Sequence, residues 1–399
     1  PTRFRLGLFD PLGTVPFDTI GVSWIRKREH IDLSLEAAEK SLVLLKNKDN
    51  ALPLDPNVPS VFVTGPTAAH TQALLANYYG VSEDLKTILE GVVANVSPQT
   101  SVKYRQGALL DEKNRNPMDW FSDVAARSEV TIACVGISQL IEGEEGESIM
   151  SNYFGDRQEI GLPQNQIDFL KVIREKSKKL IVVLTGGSAI TCPEVYELAD
   201  ALIFAWYPGE QGGLAVGNAL FGRSVPSGKL PVTFVRSLED LPPYEDYAMT
   251  NRTYRYFKGE PLFPFGFGLS YSTFRYGEPQ VSNTSLRSGE STTLTVEVSN
   301  DGKYEAEEVV QLYISDLDAS VEVPQYALKG FQRLSLAPGA SQQVQFTVQT
   351  KDLMLINEAG EAILEPGQFR LSVGGSVPSQ RSLDLGAPSY REVNISVAR

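Results

Sequence analysis

Between residues 30 and 235, short apolar runs alternate with stretches of helical spacing; past residue 275 the pattern becomes a strict period of two. In the first region Leu33 to Asn47 (LSLEAAEKSLVLLKN) combines helical spacing with good helix formers, predicting a helix. Ser60-Val-Phe-Val-Thr-Gly-Pro66 predicts a strand ending in a turn. Helices are then expected around Thr71 to Ala76 and over Trp120 to Arg127, with a strand over Val130 to Ile137. Pro163 to Ser177 predicts a helix, Leu180 to Leu184 a strand, and Cys192 to Leu198 a helix. Asp200 to Trp206 follows as a strand and Gln211 to Phe221 as a helix opened by glycines. Strands separated by helices imply βα units and a mostly parallel sheet covered on both faces.

The remainder differs. Ser291 to Asn300 and Ser341 to Val348 alternate apolar and polar positions. Glu308 to Ile314, Lys329 to Leu336 and Gln368 to Val373 add strands, with turn signals at Asn300-Asp-Gly302, Pro338-Gly339 and Pro366-Gly367. Short strands at this spacing, without a helical pattern, predict an antiparallel β-sandwich of about a hundred residues. The fold class expected is therefore α/β, a mostly parallel α/β sandwich domain followed by an antiparallel β-sandwich. Leu241 to Ser272 joins the two; its aromatics make it too sticky for a free linker, so it should pack along the first domain.

Composition narrows the classes of function. The 399 residues suffice for two or three domains, and 42% apolar with 21% charged content is that of a globular protein. A net charge of −13 argues against nucleic acid and anionic membranes as partners, and no apolar run reaches the length of a bilayer span. Cys134 and Cys192 sit in apolar surroundings as small core residues; with His30 and His70 they make neither a disulfide framework nor a metal site. No cofactor is implied. Pro1-Thr-Arg-Phe-Arg-Leu resembles neither a signal peptide nor a transit peptide and reads like the interior of a longer chain.

The candidate chemistry lies just past the strand ending at Ile137. Glu142-Gly-Glu-Glu-Gly-Glu147 packs four acids into six residues. Their mutual repulsion makes at least one harder to ionise, as a general acid requires. Charge density alone describes a solvated loop. The carboxyl end of a parallel strand, where ligands bind in open α/β sheets, and two glycines allowing a tight backbone path favour a site. Asp123, in Phe121-Ser-Asp-Val-Ala125, lies in an expected helix and is read as structural. Gly186-Gly-Ser-Ala189 lacks the spacing and lysine of a phosphate loop. Trp120, Trp206, Tyr254 and Tyr256 are possible sugar-stacking residues, although aromatics at such places more often belong to cores.

Ordered segments carry a resemblance. Lys40-Ser-Leu-Val-Leu-Leu-Lys-Asn47 with Leu52-Pro-Leu54, and Tyr207-Pro-Gly-Glu-Gln-Gly-Gly213, resemble the second domain of glycoside hydrolase family 3. So do Pro226-Ser-Gly-Lys-Leu-Pro-Val-Thr-Phe234, Arg252-Thr-Tyr-Arg-Tyr-Phe257 and Pro264-Phe-Gly-Phe-Gly-Leu-Ser-Tyr271. In order and spacing they are most similar to the β-xylosidase and β-glucosidase branch, whose last domain is fibronectin type III-like. The resemblance implies a retaining glycosidase acting on oligosaccharides from the non-reducing end. Its nucleophile is an aspartate in an N-terminal TIM-like barrel, expected outside this chain; Arg3-Phe-Arg-Leu-Gly-Leu-Phe-Asp-Pro11 resembles the segment after it. The implied division is residues 1–30 following the barrel, 31–240 the α/β sandwich, 241–275 the connection and 276–399 the fibronectin-like sandwich. A barrel chain or fragment is the implied partner, a homo-oligomer is possible, and periplasmic or secreted location is the family's suggestion.

The family's acid/base sits on the loop after the strand, in patterns such as Ile-Glu-Ala-Glu-Gly-Leu-Asp-Arg or Leu-Glu-Gly-Glu-Glu-Met. Set against Gly136-Ile-Ser-Gln-Leu-Ile-Glu-Gly-Glu-Glu145, the second glutamate falls on Glu144. Gly155-Asp156-Arg157, which closes the loop, arrives later than in the short pattern, leaving Glu145 and, more weakly, Glu142 as alternatives. Asp156 and Arg157 are expected to support the loop. The rival reading is a non-enzymatic carbohydrate-binding or scaffold subunit that keeps the acids for solubility.

Overall fold

The computed structural model describes residues 1–77, 79–80, 82–116, 119–143 and 155–398. Six strands form the first sheet: β1 (Val43–Asn47), β2 (Ser60–Thr64), β3 (Ser101–Arg105), β4 (Val130–Gly136), β5 (Leu180–Thr185) and β6 (Ala201–Trp206). Their order is β1-β6-β5-β4-β2-β3, parallel except for β1, which runs antiparallel to β6. Every residue of β4 and β5 is buried, as expected where helices cover both faces. Val61, Ile132, Cys134 and Ile203 point into a core with the helices Arg28–Ser41, Ile88–Asn95 and Gly212–Leu220. Phe62, Val135, Leu184 and Phe204 point the other way, toward the helices Gln164–Lys176 and Pro193–Leu198.

The helix expected over Leu33 to Asn47 is two elements, a helix ending at Ser41 and strand β1. Four consecutive fully buried residues, Leu42 to Leu45, cannot share one helical stripe, whereas beside β6 both faces of a strand are covered. The helix Ile88–Asn95 and the edge strand β3 were not anticipated; β3 is polar and alternates exposed with half-buried positions. The helix does carry a start signal, Thr87 and Glu90, which close a capping box with the Thr87 N–H donating to Glu90 Oε2 at 2.8 Å. It then touches the helix Gly212–Leu220 backbone to backbone. A Cβ at Gly91 would fall 1.7 Å from the Gly213 carbonyl oxygen, and one at Gly217 would fall 2.2 Å from that of Gly91.

The second region is an antiparallel sandwich. Ser291–Asn300 lies between Ser341–Gln349 and Phe274–Tyr276 in one sheet. The other runs in the order Ala327–Leu336, Ala306–Asp316, Gly367–Gly374 and Arg391–Val397. Residues 257–272 of the connecting segment are built into both regions. Phe263 and Phe267 are fully buried in the core that holds Phe204, and the Leu269 N–H donates to the Leu44 carbonyl at 2.8 Å. Tyr254 stacks on Phe265 at 4.1 Å and meets Tyr313 of the sandwich edge-on. Its earlier part leaves Tyr244 and Tyr247 almost wholly exposed, and Phe4, Leu8, Phe9, Leu12, Val22 and Ile25 also face outward.

The joint between the regions is polar and buried. The Gln311 amide donates to the carbonyls of Gly266 and Gly375 at 3.0 and 2.9 Å. The Lys229 ammonium lies 3.0 Å from Glu308 Oε1 and donates to the Gly268 carbonyl at 2.8 Å. Burial pushes the Glu308 carboxyl up, and the Lys229 charge opposes that shift. Removing one partner of such a pair leaves a buried charge alone. Lys229→Ala should therefore lower the unfolding free energy by about 3–5 kcal/mol in a urea titration. Lys229→Met combined with Glu308→Leu should cost much less; equal losses would show that the pair does not act as a unit.

Candidate active site

The carboxyl ends of β4, β5 and β6 lie side by side, and one carboxylate ties them together. After β4 the chain turns through Ser138, whose hydroxyl caps the single-turn helix Gln139–Glu142 by accepting the Leu140 N–H at 3.3 Å. Glu142 then reaches across to the neighbouring strand ends. The Ser188 hydroxyl, on the loop after β5, donates to one of its oxygens. The Tyr207 hydroxyl, directly after β6, donates to the other. The Gly187 N–H adds a third bond at 3.3 Å. This approach requires a glycine, because a Cβ at 187 would fall 2.7 Å from the Tyr207 ring and 2.9 Å from Glu142 Oε2. Burial, reinforced by the bond to Glu142, pushes the Tyr207 phenol well above its ordinary pKa and keeps it a donor.

Arg157 secures the returning end of the loop. Its N–H donates to the Glu142 carbonyl at 3.2 Å. Its guanidinium donates to Ser188 Oγ and the Ala189 carbonyl, both at 2.9 Å, and to the Glu159 carbonyl at 3.1 Å. Burial lowers the guanidinium's pKa, and Glu142 counters this. Asp156 is exposed and takes no part in these bonds. Glu144 and Glu145 lie outside the described residues, as does the rest of 144–154; the ends of that stretch, Gly143 and Gly155, are anchored through Glu142 and Arg157.

Other side chains fix the same edge of the sheet. Buried Gln166 accepts the Gly136 N–H at 2.8 Å, donates to the Gly136 carbonyl at 2.7 Å, and also bonds to Leu110 of the loop after β3. Glu210, three residues beyond Tyr207, accepts from Ser82 at 2.7 Å and from Arg26 at 3.2 Å. Burial would raise the Glu210 carboxyl, but these bonds hold it below its ordinary value. Ser188, Tyr207, Gln166, Glu210 and Arg26 were not singled out from the sequence. The one available signal was the Tyr207 to Gly213 motif, which carried no role by itself.

The aromatics divide. Trp206 packs edge-on against Phe204 at 4.4 Å and donates its indole N–H to the Ser41 carbonyl, and Tyr254 is stacked on Phe265. Trp120, by contrast, is 72% exposed. Cys134 and Cys192 are free and fully buried; burial raises both thiols, that of Cys192 to about 12, which removes them as nucleophiles. Among the described residues no cluster of three His, Cys, Asp or Glu could hold a metal ion, and no helix is long and apolar enough to cross a membrane.

The α/β sandwich joined to a β-sandwich is an arrangement shared with a solved β-glucosidase. The Glycosyl hydrolase family 3 C-terminal domain matches residues 42–271, and the Fibronectin type III-like domain matches 308–377. A Beta-xylosidase of Formosa agariphila is 34% identical over 94% of this chain and 52% of its own length. A Periplasmic beta-glucosidase of Salmonella typhimurium is 31% identical over 93% of this chain and 52% of its own length. The solved structure of a β-glucosidase from Erythrobacter marinus, 31% identical, superposes with a TM-score of 0.82 over 98% of this chain and 53% of that one. The chain belongs to glycosyl hydrolase family 3. It spans about half the length of the curated relatives it matches.

Tyr207→Phe removes one donor from the Glu142 carboxylate and should weaken the tie by about 1.5–3 kcal/mol. Amide hydrogen exchange in peptides covering residues 138–161 should then rise about ten- to a hundredfold, while β1 and the sandwich stay unchanged. Uniform acceleration across the chain would mean that the hydroxyl supports global stability and not this loop.

Proposed function

We propose that the chain is the acid/base-bearing part of a retaining, exo-acting β-glycosidase, a β-xylosidase or β-glucosidase, with Glu144 as the acid/base. The observation that carries this reading is the tie of Glu142 to Ser188, Tyr207 and Gly187. A carboxylate engaged by two hydroxyls and an amide is an anchor, ill placed to shuttle protons. The anchor holds the base of the acidic loop at the carboxyl edge of the sheet, where α/β sheets bind ligands. Glu144 is the next acid beyond it, and Glu145 is the alternative. The names of the relatives, β-xylosidases and β-glucosidases, support the substrate class.

In this reading the aspartate nucleophile comes from a barrel that residues 1–30 connect to the α/β domain of 31–240. Retention requires the two carboxyl groups about 5–5.5 Å apart. The outward-facing Phe4, Leu8, Phe9, Leu12, Tyr244 and Tyr247 form apolar surface suited to a covering partner. Glu144 protonates the departing glycosidic oxygen as the aspartate attacks the sugar carbon, then takes a proton from the water that releases the sugar. Arg157 closes the loop by the bonds described above, without help from the exposed Asp156.

The test uses the complete enzyme. Glu144→Ala should slow hydrolysis of substrates with poor leaving groups by about 10²–10⁴-fold. With an activated aryl glycoside the glycosyl-enzyme should accumulate, and added azide, which needs no base, should restore turnover and give the β-glycosyl azide. The corresponding Glu145 and Glu142 variants should show no rescue. Rescue of the Glu145 variant alone would shift the assignment by one residue, and rescue of none would refute it. This chain by itself should not turn over an aryl β-xyloside or β-glucoside above a Glu144→Gln control.

A further inference from the structure

Trp120 lines a cavity of about 630 Å³ at the carboxyl end of β3, together with Arg105, Asn114, Arg115 and Phe121. The fold makes little use of this indole. Its residue precedes the helix Phe121–Ala126 without a side-chain cap, a role filled instead by Asp119, whose carboxylate accepts the Ser122 N–H at 3.0 Å. The cavity wall, however, is firmly built. The Asn114 amide donates to the Gly107 carbonyl at 2.7 Å, and the Asn165 amide donates to those of Leu109 and Glu112 at 2.8 and 2.9 Å. Phe121 is held by Phe169 at 5.2 Å.

Two further facts connect the cavity to the candidate active site. It opens at the same edge of the sheet as the Glu142 loop, since β2, β3 and β4 are parallel and β3 lies two strands from β4, about 10 Å away. Gln166 also bonds both Leu110, beside the cavity, and Gly136, from which the acidic loop departs. The two are therefore held in fixed relation through one buried side chain.

We infer that this cavity is a distal leaving-group subsite for β-linked oligosaccharides, with Trp120 as its stacking platform. The inference rests on the acid/base assignment above. The acid protonates the leaving oxygen, so sugars on the leaving side emerge over the domain that carries it and continue along its strand ends. A pyranose ring presents an apolar C–H face to an indole and equatorial hydroxyls to its rim. Exposed Trp120 meets the first need; the Arg105 and Arg115 guanidiniums and the Asn114 amide meet the second. A cavity of this kind would make the enzyme prefer longer chains over aryl glycosides or disaccharides.

The experiment compares two substrates in the complete enzyme, an aryl β-glycoside without leaving-side sugars and a β-linked tetrasaccharide. Trp120→Ala should lower the tetrasaccharide-to-aryl ratio of kcat/KM about tenfold, through KM, and Trp120→Phe should recover most of it. A ratio unchanged by Trp120→Ala overturns the inference. Calorimetric titration of the same tetrasaccharide into Glu144→Gln enzyme, with and without Trp120→Ala, separates this inference from the catalytic reading. Binding that Trp120→Ala weakens supports the subsite even if no hydrolysis is found; binding indifferent to it refutes the subsite while leaving the acid/base assignment standing.

Discussion

The Glu142 carboxylate is the point on which the site depends. Three parallel strands end beside one another, and nothing in a sheet's hydrogen bonding dictates how the loops beyond them are arranged. Accepting from Ser188, Gly187 and Tyr207, Glu142 makes the loops after β4, β5 and β6 one body. Each donor is local to its own strand end, so the tie exists only once the sheet has its order. Hydrogen bonds to a charged acceptor are worth more than neutral ones, and here they join segments far apart in sequence. Gly187 shows how tightly the arrangement is drawn, since even a methyl group would meet both Tyr207 and Glu142.

The second constraint is the joint with the sandwich. A fibronectin-like domain attached by a flexible linker would add nothing to the sheet's geometry. Here the connection is part of two cores, and Lys229, Glu308 and Gln311 place polar bonds where water is excluded. A buried ion pair is not a strong source of stability, because desolvation offsets its attraction. It does penalise any docking that fails to pair the charges, and this favours a single orientation of the two domains.

Much of the architecture was legible in the residues. Val130 to Ile137 and Leu180 to Leu184 are short, mostly apolar runs rich in Val and Ile, a pattern suited to strands covered on both faces, and that is their environment. The period-two run Ser291 to Asn300 became one strand with the expected bounds. The misreading at Leu33 to Asn47 came from a helix and a buried strand that abut without a turn residue, so that good helix formers ran into Leu42 to Leu45 unannounced. Strand β3 was missed because an edge strand needs little apolar content. The site was legible only in part. Acid density drew attention to the loop after β4, yet the partners that anchor Glu142 at its base, a serine, a glycine and a tyrosine beyond two other strands, become neighbours through strand order, which local pattern does not encode. Trp120 was discounted because aromatics more often fill cores; only its exposure separates it from Trp206.

A site divided between two domains places a demand on the segment that joins them. If one carboxyl group is supplied by a barrel and the other by Glu144, their spacing of about 5 Å is set by contacts between domains and not by bonds within either. On that reading the chain supplies a contact between the connecting segment and the α/β domain. Arg26, held at a left-handed φ of 55°, sends its guanidinium to Glu83 and Glu210 at 2.8 and 3.2 Å. Glu210 lies one short turn, Pro208-Gly209, beyond Tyr207, and Tyr207 holds Glu142. A continuous set of contacts thus runs from the segment that would lead out of a barrel to the base of the acidic loop. Non-glycine residues adopt positive φ at some cost, and such conformations persist where surrounding contacts over-determine them. On the proposed reading, Arg26 transmits the position of the barrel connection directly to the loop that carries the acid/base.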